Sequence, residues 1–286
     1  MKTFALPTAE VYVPDGSEPE AACARVTHLA IGAHQDDLEF MAFPGILAGL
    51  DPSQSNAFGG VVCSDGAGSS RTGPFAGYTD DQMRDVRREE QREAARIGRY
   101  AVMIQLDYPS RVIKDPSDAR LEEDLLAVLR LARPSVVYAH QPADKHETHI
   151  AVLRATLGAL RRLPAEERPS QLIGCEGWRG LDWMGDSEKM LLDVSGHDAL
   201  ASRLNGVFAS QIAGGKRYDL AVEGRRRANA TFFNSHQGDK ASHVCLAMDL
   251  TPLIRDDGLS VADFATGFID RLRADVTGLL TRQFGS

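Results

Sequence analysis

The chain has 286 residues, an ordinary apolar fraction and no internal repeat, enough to bury a full α/β core as a single domain spanning 1–286. Its net charge of −8 is spread over mixed-sign helices with no basic stripe, which argues against a nucleic-acid partner. Cys23, Cys63, Cys175 and Cys245 lack CxxC spacing, no run approaches the ~18 apolar residues of a membrane span, and no signal-peptide order opens the chain, so reduced thiols and a cytoplasmic location are expected.

Residues 1–25 alternate Pro, Glu and Ala with short β-like pieces such as Val11-Tyr12-Val13, and read as an extended arm on the surface or reaching a neighbouring subunit, compatible with a homo-oligomer. The run His28-Leu29-Ala30-Ile31-Gly32-Ala33 predicts a buried strand that ends in His34-Gln35-Asp36-Asp37-Leu38-Glu39. A helix over about 38–50, a turn at 51–56 and a strand at 59–63 complete a β-α-β unit.

The segment 64–74 is a glycine-rich loop at a strand's carboxyl end. It has no Gly-Lys-Ser/Thr, and no GxGxxG opens a helix after a strand, so it is not a phosphate cradle of either type. Within it, Arg71 is a candidate to hold a substrate hydroxyl or carboxylate, or else a solvated loop residue. Thr79-Asp80-Asp81-Gln82 predicts a helix start, and the interleaved Arg87, Arg88, Glu89, Glu90, Arg92 and Glu93 read as a solvated helix face.

A third strand at 102–106, a helix at 117–132 and a fourth strand at 135–139 follow. The fourth strand runs into His140-Gln141-Pro142-Ala143-Asp144-Lys145-His146-Glu147-Thr148-His149. A helix at about 149–160 and a fifth strand at 172–175 come next. Beyond Trp183 the pattern loosens: strands at 191–194 and 245–250, helices at 198–210, 225–233 and 261–282, and a loop at 234–239. The alternation predicts a Rossmann-like three-layer α/β sandwich with a mostly parallel sheet, in which about 184–286 are irregular C-terminal additions to the same domain.

Two clusters carry chemistry. His34 and Asp37 leave a strand three residues apart and can reach one divalent metal, although Asp36-Asp37 could instead cap the following helix. Three histidines within ten residues, in a chain with eight, are hard to explain by core packing. A catalytic zinc needs about three protein ligands and an open position; His34, Asp37 and one histidine of the second cluster would provide them, because parallel strands end on the same side. His236 and His243 stand alone, as structural or solvent-facing histidines usually do.

These motifs resemble those of the PIG-L/LmbE-like family of zinc-dependent N-acetylglucosamine deacetylases, over most of the chain up to about residue 160. The family's His-Pro-Asp-Asp is similar to His34-Gln35-Asp36-Asp37, and its His-Pro-Asp-His to His146-Glu147-Thr148-His149; the glycine-rich loop and Arg87-x-x-Glu90 with Ala94-Ala95 also fit. The resemblance implies metal ligands His34, Asp37 and His149, Asp36 as general base and His146 as the group that stabilises the oxyanion. It implies a zinc cofactor, with Fe2+ or another divalent ion as the alternative, and an N-acetylated amino sugar or glycoconjugate as substrate. Gln35 in place of proline should matter little to ligation. Glu147-Thr148 in place of Pro-Asp removes the usual carboxylate before the last ligand, so Asp144 becomes the candidate partner of a site histidine. With His140 and Arg71 it is also a substrate-binding candidate. The rival readings are a hydrolase of a non-sugar amide, a non-catalytic carbohydrate-binding protein and a nucleotide-binding Rossmann module. Against the last stand the missing glycine fingerprint and two histidine clusters left without purpose.

Overall fold

The computed structural model describes residues 4–232, 236 and 238–285. In chain order the strands are β1 (Glu10–Tyr12), β2 (His28–Gly32), β3 (Phe58–Ser64), β4 (Val102–Tyr108), β5 (Val136–His140), β6 (Gln171–Cys175), β7 (Met190–Asp193) and β8 (Val244–Asp249). The helices are α1 (Pro19–Ala24), α2 (Asp37–Met41), α3 (Phe43–Leu50), α4 (Asp80–Ile97), α5 (Ser110–Lys114) and α6 (Arg120–Ala132), then α7 (Glu147–Arg161), α8 (Asp198–Gly206), α9 (Ala209–Ala213), α10 (Tyr218–Thr231), α11 (Pro252–Arg255) and α12 (Val261–Phe284).

All eight strands form one sheet in the order β1-β4-β3-β2-β5-β6-β8-β7. The five central strands β4, β3, β2, β5 and β6 are parallel, while β1 and β8 run antiparallel to their neighbours β4 and β6. Apolar runs buried on both faces mark the central strands, as in β3, where every residue is buried. Chain order reverses between β2 and β5: β3 and β4 are laid down on one side of β2, and the chain then returns to place β5 on the other. Such a reversal leaves a crevice beyond the strand ends, where open α/β sheets bind their ligands. Both histidine clusters leave from these two strands.

Four local outcomes differ from the sequence expectations. Residues 10–24 are not an arm: β1 forms the sheet edge with Glu10 opposite Gln105, Arg92 pairs with Glu10, and α1 buries Ala22 and Cys23. The helix expected over 38–50 breaks at Ala42, because Pro44 in the first turn of α3 has no N–H to continue the α2 ladder. The helix expected over 198–210 divides into α8 and α9, and α10 starts seven residues before 225. Phe233, at the end of that expected helix, and Asn234, Ser235 and Gln237 of the expected loop lie outside the described residues.

Helix α4 starts as its sequence predicts, with a reciprocal cap: Thr79 accepts from the Gln82 backbone N–H and Gln82 accepts from that of Thr79. Its charged face is not all solvated. Met83, Arg87, Glu90, Gln91, Ala94 and Ala95 point inward at helical spacing, so one buried stripe carries an arginine and a glutamate. Among the described residues no helix is long and apolar enough to cross a membrane.

Candidate metal and catalytic centre

The turn after β2 is built around one carboxylate. Asp37 Oδ2 accepts the backbone N–H groups of Ala33 (2.9 Å) and His34 (2.7 Å), which fold the chain back on the strand end. Asp36, at the helix N-cap position, makes no side-chain cap bond, so capping does not account for the Asp-Asp pair. Burial disfavours charge on Asp37, yet His149, His140 and His34 together hold its carboxyl well below the usual range, so it is an anion.

His149, in the first turn of α7, faces Asp37 across the crevice. Its Nδ1 lies 3.0 Å from Asp144 Oδ2. Burial would raise Asp144, but the His149 hydrogen bond, the neighbouring His149 and His140 rings and the Trp178 N–H together outweigh it and hold this carboxyl below its ordinary value. An ionised carboxylate only accepts, so the proton sits on Nδ1 and the Nε2 lone pair is turned to the site. That Nε2 lies 3.3 Å from His34 Nδ1 and 3.5 Å from Asp37 Oδ1, and His34 Nδ1 lies 3.4 Å from Asp37 Oδ2. Two imidazole nitrogens and the Asp37 carboxylate therefore face one another and need a cation or a proton between them. Burial would lower the His149 pKa, but Asp37 and Asp144 raise it. The spacing fits a metal, because donors at ~2.0–2.2 Å from a tetrahedral ion lie ~3.4 Å from one another. Two overlapping groups, His34/His146/His149 and Asp37/His140/His149, have donor atoms within 4.8 Å of each other.

Asp144 sits below this site, with its remaining acceptor positions filled by the N–H groups of Lys145 (2.6 Å) and Trp178 (3.1 Å). Its place is behind His149, not against a substrate. Gly177 allows this, since a Cβ there would lie 2.3 Å from Asp144 Oδ2. His140 is also a support: it is 1 % exposed, its ring stacks on His149 at 3.9 Å, and its Nε2 faces the Ala33 N–H at 3.0 Å. It reaches the cavity only at its floor.

Asp36 is held in a left-handed backbone conformation, φ 101°, uncommon for a residue with a side chain. Three contacts fix it: its N–H donates to Gln91 Oε1 (3.2 Å), Arg87 Nη2 donates to its Oδ2 (3.1 Å), and the same nitrogen bonds the Gln35 carbonyl. Burial pushes Asp36 up to about 6, with Arg87 opposing and Asp37 adding to the rise. Arg87 is oriented in turn by Glu90 Oε2 (3.2 Å), which also accepts from Ser210 Oγ (2.7 Å) of α9, while Ser210 N–H bonds Glu90 Oε1 (2.7 Å). Behind them Glu39 accepts from Tyr100 Oη (2.6 Å) and Gln91 Nε2 (2.8 Å), and burial pushes it up to about 7.

A cavity of about 620 Å³ opens over these groups. His146 edges it, 4.5 Å from the His149 ring and 5.6 Å from the Trp178 ring, with a buried Nδ1 that has no partner among the described residues. Burial and the neighbouring His34 and His149 lower its pKa to about 4, so the ring is neutral. One wall is the loop after β3, with Gly66 and Ser69; the other is Trp178 and the α10 face bearing Tyr218, Ala221, Val222 and Arg225.

Sequence reasoning missed that second wall: the 218/221/222/225 spacing is helical, but no strongly apolar stripe marks it. Arg71 does not line the cavity. Its Nη2 donates to Ala67 O (2.7 Å) and Asp80 Oδ1 (2.5 Å), so the loop folds on itself in place of the expected substrate contact. His243 pairs with Asp198 at 3.1 Å, and neither it nor the exposed His236 lines the cavity.

Residues 29–160 match the family model described as PIG-L: GlcNAc-PI de-N-acetylase. No curated protein matches the sequence. Among solved structures, the conserved protein TT1542 of Thermus thermophilus is similar at 21% identity and a TM-score of 0.61, over 82% of this chain and 99% of that one. The 4-carboxy-2-hydroxymuconate hydratase GalB of Pseudomonas putida is similar at 20% identity and 0.58, over 79% and 96%. The N,N'-diacetylchitobiose deacetylase of Pyrococcus horikoshii is similar at 17% identity and 0.60, over 80% and 85%. At these identities the likeness establishes the mostly parallel α/β fold and no reaction.

Proposed function

Residues 29–160 belong to the PIG-L family, and from that premise we propose that the protein is a metal-dependent hydrolase that removes an acetyl or other N-acyl group from an amino sugar or its conjugate. The reading is carried by one observation: His34 Nδ1, Asp37 and His149 Nε2 converge at 3.3–3.5 Å beside a second, separately held carboxylate, Asp36, on the floor of a cavity. Of the two overlapping donor groups, the Ala33 contact of His140 and its place behind His149 favour His34 over it as a ligand. A divalent ion bound there, zinc by the mixed nitrogen and oxygen donors with Fe2+ as the alternative, supplies the Lewis acidity that acidifies water and polarises a carbonyl.

The chain's own groups then divide the work. Arg87 occupies Asp36 Oδ2, while among the described residues Oδ1 has no hydrogen-bond partner and is available to take the proton of the attacking water. A carboxylate raised to about 6 is ionised at neutral pH and still basic enough for that transfer. As the water oxygen bonds to the acyl carbon, the neutral His146 donates an N–H to the oxyanion. When the C–N bond breaks, Asp36 returns the proton to the departing amine, leaving an amine and a carboxylic acid, whose own proton then passes to the amine to give an ammonium and a carboxylate.

The N,N'-diacetylchitobiose deacetylase and the PIG-L description support an N-acetylated sugar as substrate class. The shared fold with a hydratase leaves the reaction to be argued from the site alone. Four buried free thiols support a reducing, cytoplasmic setting. The deciding experiment measures metal content and free-amine release from a panel of N-acetylated sugars, peptides and non-sugar amides. One metal per chain, lost in His149→Ala, with amine released from sugars in preference to the other amides, is expected; full metal occupancy in that variant would overturn the ligand assignment, and release only from non-sugar amides would overturn the substrate class.

A further inference from the structure

Helix α12 (Val261–Phe284) is fastened to the body of the protein by its first half. Ala265 is buried, the Phe268 ring meets that of Trp183 edge-on at 6.1 Å, and Arg271 pairs with Glu188. From Arg273 to Gly285 every residue is exposed except the half-buried Gly278. Residues 273–284 are no longer than the ~12–15 residues at which even a good isolated helix is marginal in water, and they include the poor helix formers Thr277, Gly278 and Thr281. Packing, not propensity, must hold this half in shape. It carries the means: Ala265, Ile269, Leu272, Val276 and Leu279 recur in alternating steps of four and three, the spacing of the seam between coiled helices. Ala265 starts that stripe inside the body, whereas Ile269, Val276 and Leu279 are 44 %, 46 % and 51 % exposed.

The charges beside the stripe select its occupant. Arg271 and Arg273 are engaged within the chain, by Glu188 and Asp270, whereas Asp275 and Arg282 have no ion-pair partner among the described residues. Both lie on the same flank of the seam, each one residue before a seam position. Seven residues separate them, ~10.5 Å along the axis, too far to pair within one helix. A second copy of α12 laid antiparallel, with Val276 against the partner's Leu279, brings each Asp275 beside the partner's Arg282. Two-fold symmetry makes that contact twice. A membrane-lying helix instead needs a largely cationic polar face, and α12 has three aspartates and three arginines.

We propose that the exposed half of α12 is a self-association surface, through which two copies of this chain pair as an antiparallel two-fold coil. Val276 and Leu279 fill its seam, and Asp275 and Arg282 pair across it. None of these residues lines the cavity, so the inference is independent of the hydrolase reading.

The test is sedimentation of the full chain. A seam between two helices is a small interface, so the mass should rise from one chain to two as protein concentration increases through the micromolar range. Leu279→Asp, at an exposed position outside the core, should leave a monomer at every concentration. Asp275→Arg and Arg282→Asp should each weaken the dimer by about tenfold or more, because each sets two like-charge pairs across the seam. The double exchange Asp275→Arg/Arg282→Asp restores opposite charges and should bring the affinity back near that of the parent. A parent chain that stays monomeric throughout, or a dimer that survives Leu279→Asp, overturns the inference. A double exchange that fails to recover the dimer overturns the antiparallel pairing. Binding of a monomeric parent to vesicles of anionic lipid, lost in Leu279→Asp, would assign the face to a membrane and overturn self-association.

Discussion

The floor of the cavity and its outer wall are built on opposite plans. The floor rests on the ends of β2 and β5, the two central strands, and its main groups are braced from behind: Asp37 by two backbone N–H groups, His149 by Asp144, and Asp36 by Arg87 and Gln91. The wall, α9 and α10, hangs from a few points. Ser210 grips Glu90; Arg226 donates to the carbonyls of Glu39 (2.8 Å) and Phe40 (3.1 Å) and lies over the Phe43 ring; Asn229 reaches Glu176. Between those points α10 leaves Leu220 55 % exposed. A rigid sheet thus fixes the reacting groups, and a lightly attached helix pair shapes what lies above them, so chemistry and specificity are carried by separable parts.

Breaking the floor should have the largest effects. His149→Ala or Asp37→Ala should abolish both metal retention and turnover, measured by elemental analysis and amine release; removing the ion with a chelator should silence the parent enzyme, and adding it back should restore activity. Asp36→Asn and His146→Ala should keep the metal yet lose about a hundredfold or more in kcat, with KM moving less, because the roles proposed for both groups lie in the transition state. A variant at either position that turned over near the parent rate would remove that residue from the mechanism.

The floor also stores a pH dependence of stability. Glu39 titrates near 7 in the folded protein because it is buried, against about 4.5 when unfolded. Between those values the native chain retains a proton that the unfolded chain has released, so stability contributed by this group is full below about 4.5 and is lost as pH rises through 7. Glu39→Gln should remove the decline, by up to about 3 kcal/mol between pH 4.5 and pH 8. Urea unfolding at the two pH values measures it; an equal pH slope in parent and variant would place the loss elsewhere.

The same contrast explains what the sequence disclosed. The floor was legible because an apolar run that stops at His34 or His140 is both a strand signal and a chemical one, and the parallel alternation brings such ends together. Asp144 could be named because the motif lacked its usual carboxylate at Thr148. Arg87 was misread as solvated since its neighbours Arg88, Glu89 and Arg92 alternate in charge, and only packing reveals which arginine of such a run turns inward. Edge strand β1 is three residues long, too short to alternate. Helix α10 was largely missed because its inward residues Tyr218, Ala221, Val222 and Arg225 carry little hydrophobicity and are broken by Glu223 and Gly224. Wall helices that face a polar cavity leave no apolar stripe to read.

The smallest effect tests whether the two regions are in fact joined. Ser210 is the one residue of α9 that reaches the Arg87–Glu90 pair, and through that pair the geometry of the wall is linked to Asp36. Ser210→Ala deletes the Oγ bond to Glu90 Oε2 and the 3.4 Å contact with Arg87 Nη1, but keeps the backbone N–H on Glu90 Oε1. Losing one such bond is worth about 1 kcal/mol, which corresponds to about fivefold if it is expressed in the positioning of the base. The loss should therefore fall on kcat and leave KM and metal content near the parent values, and Ser210→Thr, which restores the hydroxyl, should recover most of it. A drop in thermal stability with kcat intact would mean that Ser210 only fastens the wall, and that floor and wall work independently.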